Sequence, residues 1–276
     1  MPGSNPAEPT IYPDLNVVLG SFVAGASAVL AESLVGVYLV GSFALGDADE
    51  HSDVDFLVVT HSEVGDRQLV KLQALHARIH ELDTGWAQHL EGSYVSAVRL
   101  RQPDLSHAPL LYLDNGASQL AWDSHCNSAF SRWVLREHGV VLSGPTPKAL
   151  VDPVPVAQLR QEALVGVREY AEWAPQPTSM GVMSRWKQPY LVLTLCRLLH
   201  TVVRGVVSTK RQSGEWALTA LAPHWSSLIR AAIDDRPDPW SRADQPAKPE
   251  DIDRTLAFVE YVVTEANSAG ERRRRR

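Results

Sequence analysis

The chain has 276 residues, 45% hydrophobic and 21% charged. That composition suits one large or two modest globular domains and excludes a disordered chain. The formal net charge is −6, and leaving out the five arginines at 272–276 makes the body −11. An acidic body speaks against a broad nucleic-acid-binding surface, so no nucleic-acid partner is expected. Cys126 and Cys196, both in contexts that read as helical and apolar, cannot build a disulfide framework, and a reducing cytoplasm is the expected compartment.

Residues 1–13, rich in Pro, Gly, Ser and Asn, read as a loose arm. Asp14 is the expected N-cap of a helix running to about Ser33. Leu15 to Ala31 carries no charge, but it is short for a membrane span and no basic region precedes it. The expectation is a buried helix whose small residues allow close packing, and no membrane partner. Val35–Val40 and Val54–Val59 read as strands around the turn-rich segment Gly41–Ser52. Residues 64–82 place Leu72, Leu75, Ile79 and Leu82 at helical spacing. Ser93–Leu100 is a third strand, and residues 101–121, with Pro103, Pro109 and Asn115-Gly116, read as a surface excursion. A helix over 124–138 and an extended piece at Val140–Leu142 complete the first half.

The run Asp152-Pro-Val-Pro155 marks the expected boundary between domains 1–152 and 153–276. Beyond it every strong signal is helical. Residues 156–174 carry one apolar face, and 188–204, apolar almost all round, predict the central helix of a bundle ended by Gly205. Ser213 is the expected cap of a helix through Leu221, and another runs from about Pro223 to Ile233. The proline-rich stretch 234–249 reads as a linker or lid-like loop, followed by a last helix over about 250–267 and a disordered arginine tail at 271–276. The fold class is α+β: an α/β domain with a mixed sheet, then an all-α bundle, with a ligand cleft expected between them.

The segment that carries chemistry runs from Gly41-Ser42 to Asp53-Val-Asp55, with ten residues between Ser42 and Asp53. Gly41 lets the backbone approach a ligand, and Ser42 adds a hydroxyl beside free N–H groups, a cradle for phosphate. Asp53 and Asp55 are two apart on a strand, so they share a face. Two neighbouring carboxylates repel unless a cation lies between them, and Mg²⁺ takes such oxygens together with substrate phosphates.

Gly41-Ser42 with Asp53-x-Asp55 resembles the signature of the polymerase-β-like nucleotidyltransferases. His51-Ser52 before the aspartates, Glu137-His-x-Val-x-Leu-x-Gly-Pro145, Asp152-Pro-Val-Pro155, and Leu193-Thr-Leu-x-Arg197 with the following Lys210 are similar to the streptomycin and spectinomycin adenylyltransferases. The resemblance implies a Mg²⁺-dependent transfer of AMP from ATP to a hydroxyl of an aminoglycoside- or aminocyclitol-like acceptor, and a monomer is expected. It implies one or two Mg²⁺ held by Asp53, Asp55 and Glu91, with Glu91 as the base. It implies nucleotide contacts from Gly41, Ser42, Ser52, Arg197 and Lys210, and stacking of the acceptor on Trp122. Glu63, Glu81 and Asp83 compete with Glu91 for the role of base. Streptomycin-accepting relatives carry acidic residues just before the Leu-Thr-Leu-x-Arg helix, where this chain reads Met183-Ser-Arg-Trp-Lys-Gln-Pro189. Such a basic wall repels a polycation and points to a neutral or anionic acceptor. Transfer of AMP to a protein hydroxyl and a catalytically silent nucleotide sensor are the competing readings.

Overall fold

The computed structural model describes residues 8–101, 108–124, 126–175, 184–236, 239–242 and 245–274. It divides into two compact units, Met1–Pro153 and Val154–Arg276.

In the first unit, α1 (Pro13–Leu30) is capped by Tyr12 rather than Asp14 and so starts two residues earlier than expected. Pro13 takes the first helical position, where its missing N–H costs nothing, and Asp14 lies in the first turn, favourable to the helix dipole. By length and apolarity Pro13–Ser33 could cross a membrane. Its face of Leu15, Val18, Leu19, Phe22, Ala26 and Leu30 is instead buried in the core. Gly25 is where the small residues act, because a Cβ there would overlap Leu75 of α3 (Asp66–His80).

Six strands form one mixed sheet: β1 (Leu34–Leu39), β2 (Val54–Thr60), β3 (Leu90–Ser96), β4 (Leu110–Leu113), β5 (Ala121–Asp123) and β6 (Val140–Ser143). Their order is β5-β4-β3-β2-β1-β6. Among the described strands only β2 and β3 pair in parallel, and α3 makes the crossover that a parallel pair requires. One sheet face packs on α1 and α3 through Val37, Leu39, Phe56, Val58 and Tyr94. The other carries Tyr38, Leu57, Val59, Val95 and Leu110, packed with Leu135 of α5 (Ala129–His138) and with Leu150 and Val151.

Other element boundaries in this unit also differ from the sequence reading. The third strand starts at Leu90 and ends at Ser96, where α4 (Ala97–Arg101) takes over, so Glu91 lies within the strand. The expected surface excursion contains β4, all four residues of which are buried. A four-residue run buried on both faces has no alternation to betray it, and its turn-forming neighbours masked it. Helix α5 begins only after Ser128, whose Oγ accepts the Ser131 N–H at 3.0 Å, so Cys126 is not helical. Pro103 lies outside the described residues.

The second unit is helical: α6 (Val156–Trp173), α7 (Lys187–Arg204), α8 (Lys210–Ala220), α9 (Ser226–Asp234) and α10 (Pro249–Arg274). As its all-round apolarity predicts, α7 is central and touches the other four. Gly205 ends it in the left-handed region, at φ +76°. The cap of α8 is Thr209, not Ser213: Thr209 and Gln212 form a capping box, and Ser213 is buried. Helix α10 runs past the expected end at 267. It takes in Arg272–Arg274, consistent with the good helix propensity of arginine, so this part of the expected tail is ordered helix.

Candidate active site

Val40, at the end of β1, donates its N–H to Asp55 O at 2.9 Å. The chain then turns at Gly41 into the short helix α2 (Gly41–Ala44). Gly41 has φ +57°, and a Cβ at this position would overlap the Asp55 carboxylate. Only glycine meets both demands. Ser42 follows in the first turn of α2, where N–H groups have no intrahelical acceptor. The N–H of buried Asp47 donates to Ser42 O at 3.0 Å and closes the loop. Ser52 is 5% exposed; its Oγ donates to Asp49 Oδ1 and accepts the Asp49 N–H, both at 3.0 Å. This brace delivers the chain into β2. Ser52 is thus occupied inside the turn, and Ser42 is the more accessible of the two expected serines.

Asp53 and Asp55 are both half-buried at the start of β2. In the parallel register Asp55 stands beside Glu91. Adjacent residues in register share a sheet face, and the same face continues into Leu57 and Val95 of the second core cluster. Asp55 and Glu91 therefore lie at one end of one face, on neighbouring strands, and Asp53 immediately precedes β2. Glu63 is excluded from this group: it accepts the Ser96 hydroxyl at 2.6 Å, at the far end of β3. Glu81 and Asp83 are exposed beyond α3.

Residues not expected from the sequence complete the cluster. Tyr112 of β4 donates its hydroxyl to Glu91 Oε1 at 2.6 Å, with Asp114 Oδ1 at 3.1 Å. Burial, and then the Glu91 charge, push the Tyr112 phenol well above its ordinary range, so it stays a donor. Asn115 donates Nδ2 to Asp53 Oδ1, and His89 Nδ1 lies 3.1 Å from Asn115 Oδ1. Cys126 is pushed up to about 12, first by burial, with Asp55, Glu91 and Asp123 adding to it against a hydrogen bond with Ser93. It is a neutral thiol, not a nucleophile.

Trp122 is not brought to the carboxylates. It pairs with Leu111 on the sheet face that α1 and α3 cover, and it is 55% exposed on the edge strand β5. Its neighbour Asp123, paired with Leu110, lies on the carboxylate face, as does Ala121, paired with Tyr112. Arg197 and Lys210 belong to the second unit, where they meet around one phenol. The Lys210 Nζ sits 4.1 Å from the Tyr190 ring centroid, and Lys187 Nζ lies 3.8 Å from that of Trp186. Tyr190 and Tyr170 place their hydroxyls 3.2 Å apart. Burial raises the Tyr190 phenol, but Lys210, the Tyr170 hydrogen bond, Arg197 and Lys187 outweigh it and bring the phenol below its ordinary value. Met183 lies outside the described residues.

Asp53, Asp55 and Glu91 are the hard oxygen donors that Mg²⁺ takes, and the register of Asp55 with Glu91 suits it. Among the described residues no three His, Cys, Asp or Glu side chains are already gathered to enclose an ion. Asp53 and Glu91 are held by Asn115 and Tyr112 instead.

Two family descriptions match the chain in tandem. Residues 27–96 match the nucleotidyltransferase domain, and residues 149–265 match the aminoglycoside adenylyltransferase C-terminal domain. The chain belongs to the aminoglycoside adenylyltransferase-like nucleotidyltransferases. It is an enzyme of that family, and the two relatives that follow match it over most of their length. The spectinomycin 9-adenylyltransferase of Campylobacter jejuni is 21% identical, covering 86% of this chain and 90% of the relative. The aminoglycoside (3'') (9) adenylyltransferase of Klebsiella pneumoniae is 24% identical, covering 74% of this chain and 78% of the relative. The same fold is seen in spectinomycin adenyltransferase AAD(9) from Enterococcus faecialis, solved with ATP and spectinomycin. Its TM-score is 0.66 at 14% identity, over 90% of this adenylyltransferase-like chain and 98% of that one.

Proposed function

We propose that this enzyme transfers AMP from ATP to a hydroxyl of an aminocyclitol antibiotic of the spectinomycin type, in the cytoplasm and as a monomer. The observation that carries the reading is the parallel register of Asp55 with Glu91, with Asp53 just before the same strand and Gly41 packed against Asp55. Asp53, Asp55 and Glu91 would hold Mg²⁺, which when bound neutralises charge on the phosphate oxygens. Glu91 takes the proton of the acceptor hydroxyl. The acceptor oxygen forms its bond to the α-phosphorus, the bond from that phosphorus to the bridging oxygen breaks, and pyrophosphate leaves. The N–H groups at Gly41 and Ser42 donate to phosphate oxygens, and the resemblance implies further nucleotide contacts from Arg197 and Lys210.

Two observations favour spectinomycin over streptomycin as the acceptor. The Campylobacter jejuni relative, matched over the larger share of its length, carries the spectinomycin name. Lys187 stands just before the Leu193-Thr-Leu-x-Arg197 segment, and streptomycin, with two guanidinium groups, tolerates a nearby ammonium less well. The test is mass spectrometry of each antibiotic after incubation with enzyme, ATP and Mg²⁺. We expect an AMP adduct of spectinomycin. An adduct on streptomycin alone would reverse the assignment, and an adduct on neither would overturn it.

A further inference from the structure

The end of β4 reaches across the sheet to two of the three carboxylates. We infer that this turn, Tyr112 to Asn115, is the device that presents them, with Tyr112 the positioning residue for Glu91 and Asn115 that for Asp53. The inference rests on the proposed roles of those carboxylates.

The turn is suited to hold something in place, because it is itself tied down on both sides. Gly116, at φ +80°, donates its N–H to Gln88 O at 2.9 Å, and Ala117 donates to Asp114 O at 2.9 Å. Asp114 Oδ1 accepts the Asn115 N–H at 3.1 Å and lies the same distance from the Tyr112 hydroxyl. His89 Nδ1 approaches Asn115 Oδ1, and the His89 carbonyl accepts the Val54 N–H at 2.8 Å, between the two aspartates. Asn115 offers its oxygen to His89, which fixes the amide so that Nδ2 points at Asp53. Tyr112 is 6% exposed, so its ring cannot swing away from Glu91 without leaving the core.

The two contacts do different work. A phenol that donates to Glu91 Oε1 sets the rotamer of the base and the direction of its remaining lone pairs. An amide on Asp53 Oδ1 sets the orientation of a metal-binding carboxylate. Partners of this kind, one shell out from a metal, change its affinity or the activity by about tenfold to a hundredfold when removed. Neither residue needs to touch substrate.

The experiment uses the full chain and four variants: Tyr112→Phe, Asn115→Ala, the pair combined, and Glu91→Gln. It reads kcat and KM for Mg-ATP with spectinomycin, Mn²⁺ affinity by electron paramagnetic resonance with a non-hydrolysable ATP analogue, and melting temperature. Tyr112→Phe keeps the buried ring and should lower kcat about tenfold or more while KM for ATP stays near wild type. Asn115→Ala should weaken Mn²⁺ binding about tenfold, a readout that needs no acceptor. Wild-type kcat in Tyr112→Phe together with wild-type Mn²⁺ affinity in Asn115→Ala would overturn the inference, as would losses that merely follow a fall in melting temperature. Full turnover in Glu91→Gln is a separate outcome: it would remove Glu91 as the base and leave the Asn115 arm standing on its own.

Discussion

Gly41 carries two demands at one position, a left-handed backbone and a carboxylate where a Cβ would be. Gly41→Ala should therefore displace Asp55, abolish transfer and destabilise the fold by about 1 kcal/mol or more. Kinetics and a denaturant melt check both, and an active, equally stable alanine variant would refute the packing argument. The Gly-Ser and Asp-x-Asp pairs were legible in the sequence because they depend only on local spacing. Glu91 came from resemblance, and its register beside Asp55 is what the sheet adds. Tyr112 and Asn115 carried no signal that periodicity could read, since their meaning depends on β4 joining the sheet next to β3. Trp122 shows the opposite hazard: in a strand, one residue of offset moves a side chain to the other face.

At the scale of elements, helices with a clear apolar face were legible to within a few residues, and β4 was not. Caps were harder, because several hydroxyls near a helix start compete and only the backbone decides. Thr209 rather than Ser213 caps α8 because its Oγ accepts the Gln212 N–H at 3.1 Å while Gln212 reaches back to the Thr209 N–H at 3.4 Å. Thr209→Ala should cost about 1 kcal/mol of stability. It should also loosen Lys210, the first residue of that helix, and so raise KM for ATP more than it lowers kcat. A melt and a steady-state ATP series would show it, and an unchanged KM would separate Lys210 from the phosphates.

The whole molecule responds to pH through a histidine far from the site in role. His76 is 2% exposed among Phe22, Phe56 and Tyr94, with Nε2 2.8 Å from the Tyr94 hydroxyl. Burial lowers it from 6.5 to about 4. Between those values the unfolded chain binds a proton that the folded chain refuses, so stability is complete above pH 6.5 and falls as the pH drops toward 4. The loss reaches about 3 kcal/mol, from 1.36 kcal/mol per pKa unit. Melting temperature measured from pH 7 to 4 should fall, and His76→Gln, which can still hydrogen-bond Tyr94, should flatten the lower part of that curve. The two-part organisation was visible in the change from mixed to purely helical patterning near Pro153, because patterning by period survives without any knowledge of contacts.

The central claim is that Asp53, Asp55 and Glu91 carry out nucleotidyl transfer. Its most direct measurement is pyrophosphate release from Mg-ATP in the presence of spectinomycin, run on the wild type, Asp53→Asn and Asp55→Asn, with circular dichroism to verify folding. The account predicts release that requires both ATP and the antibiotic in the wild type, and none above background in either folded variant. Equal release by the wild type and a variant, or no release by the wild type, would contradict it.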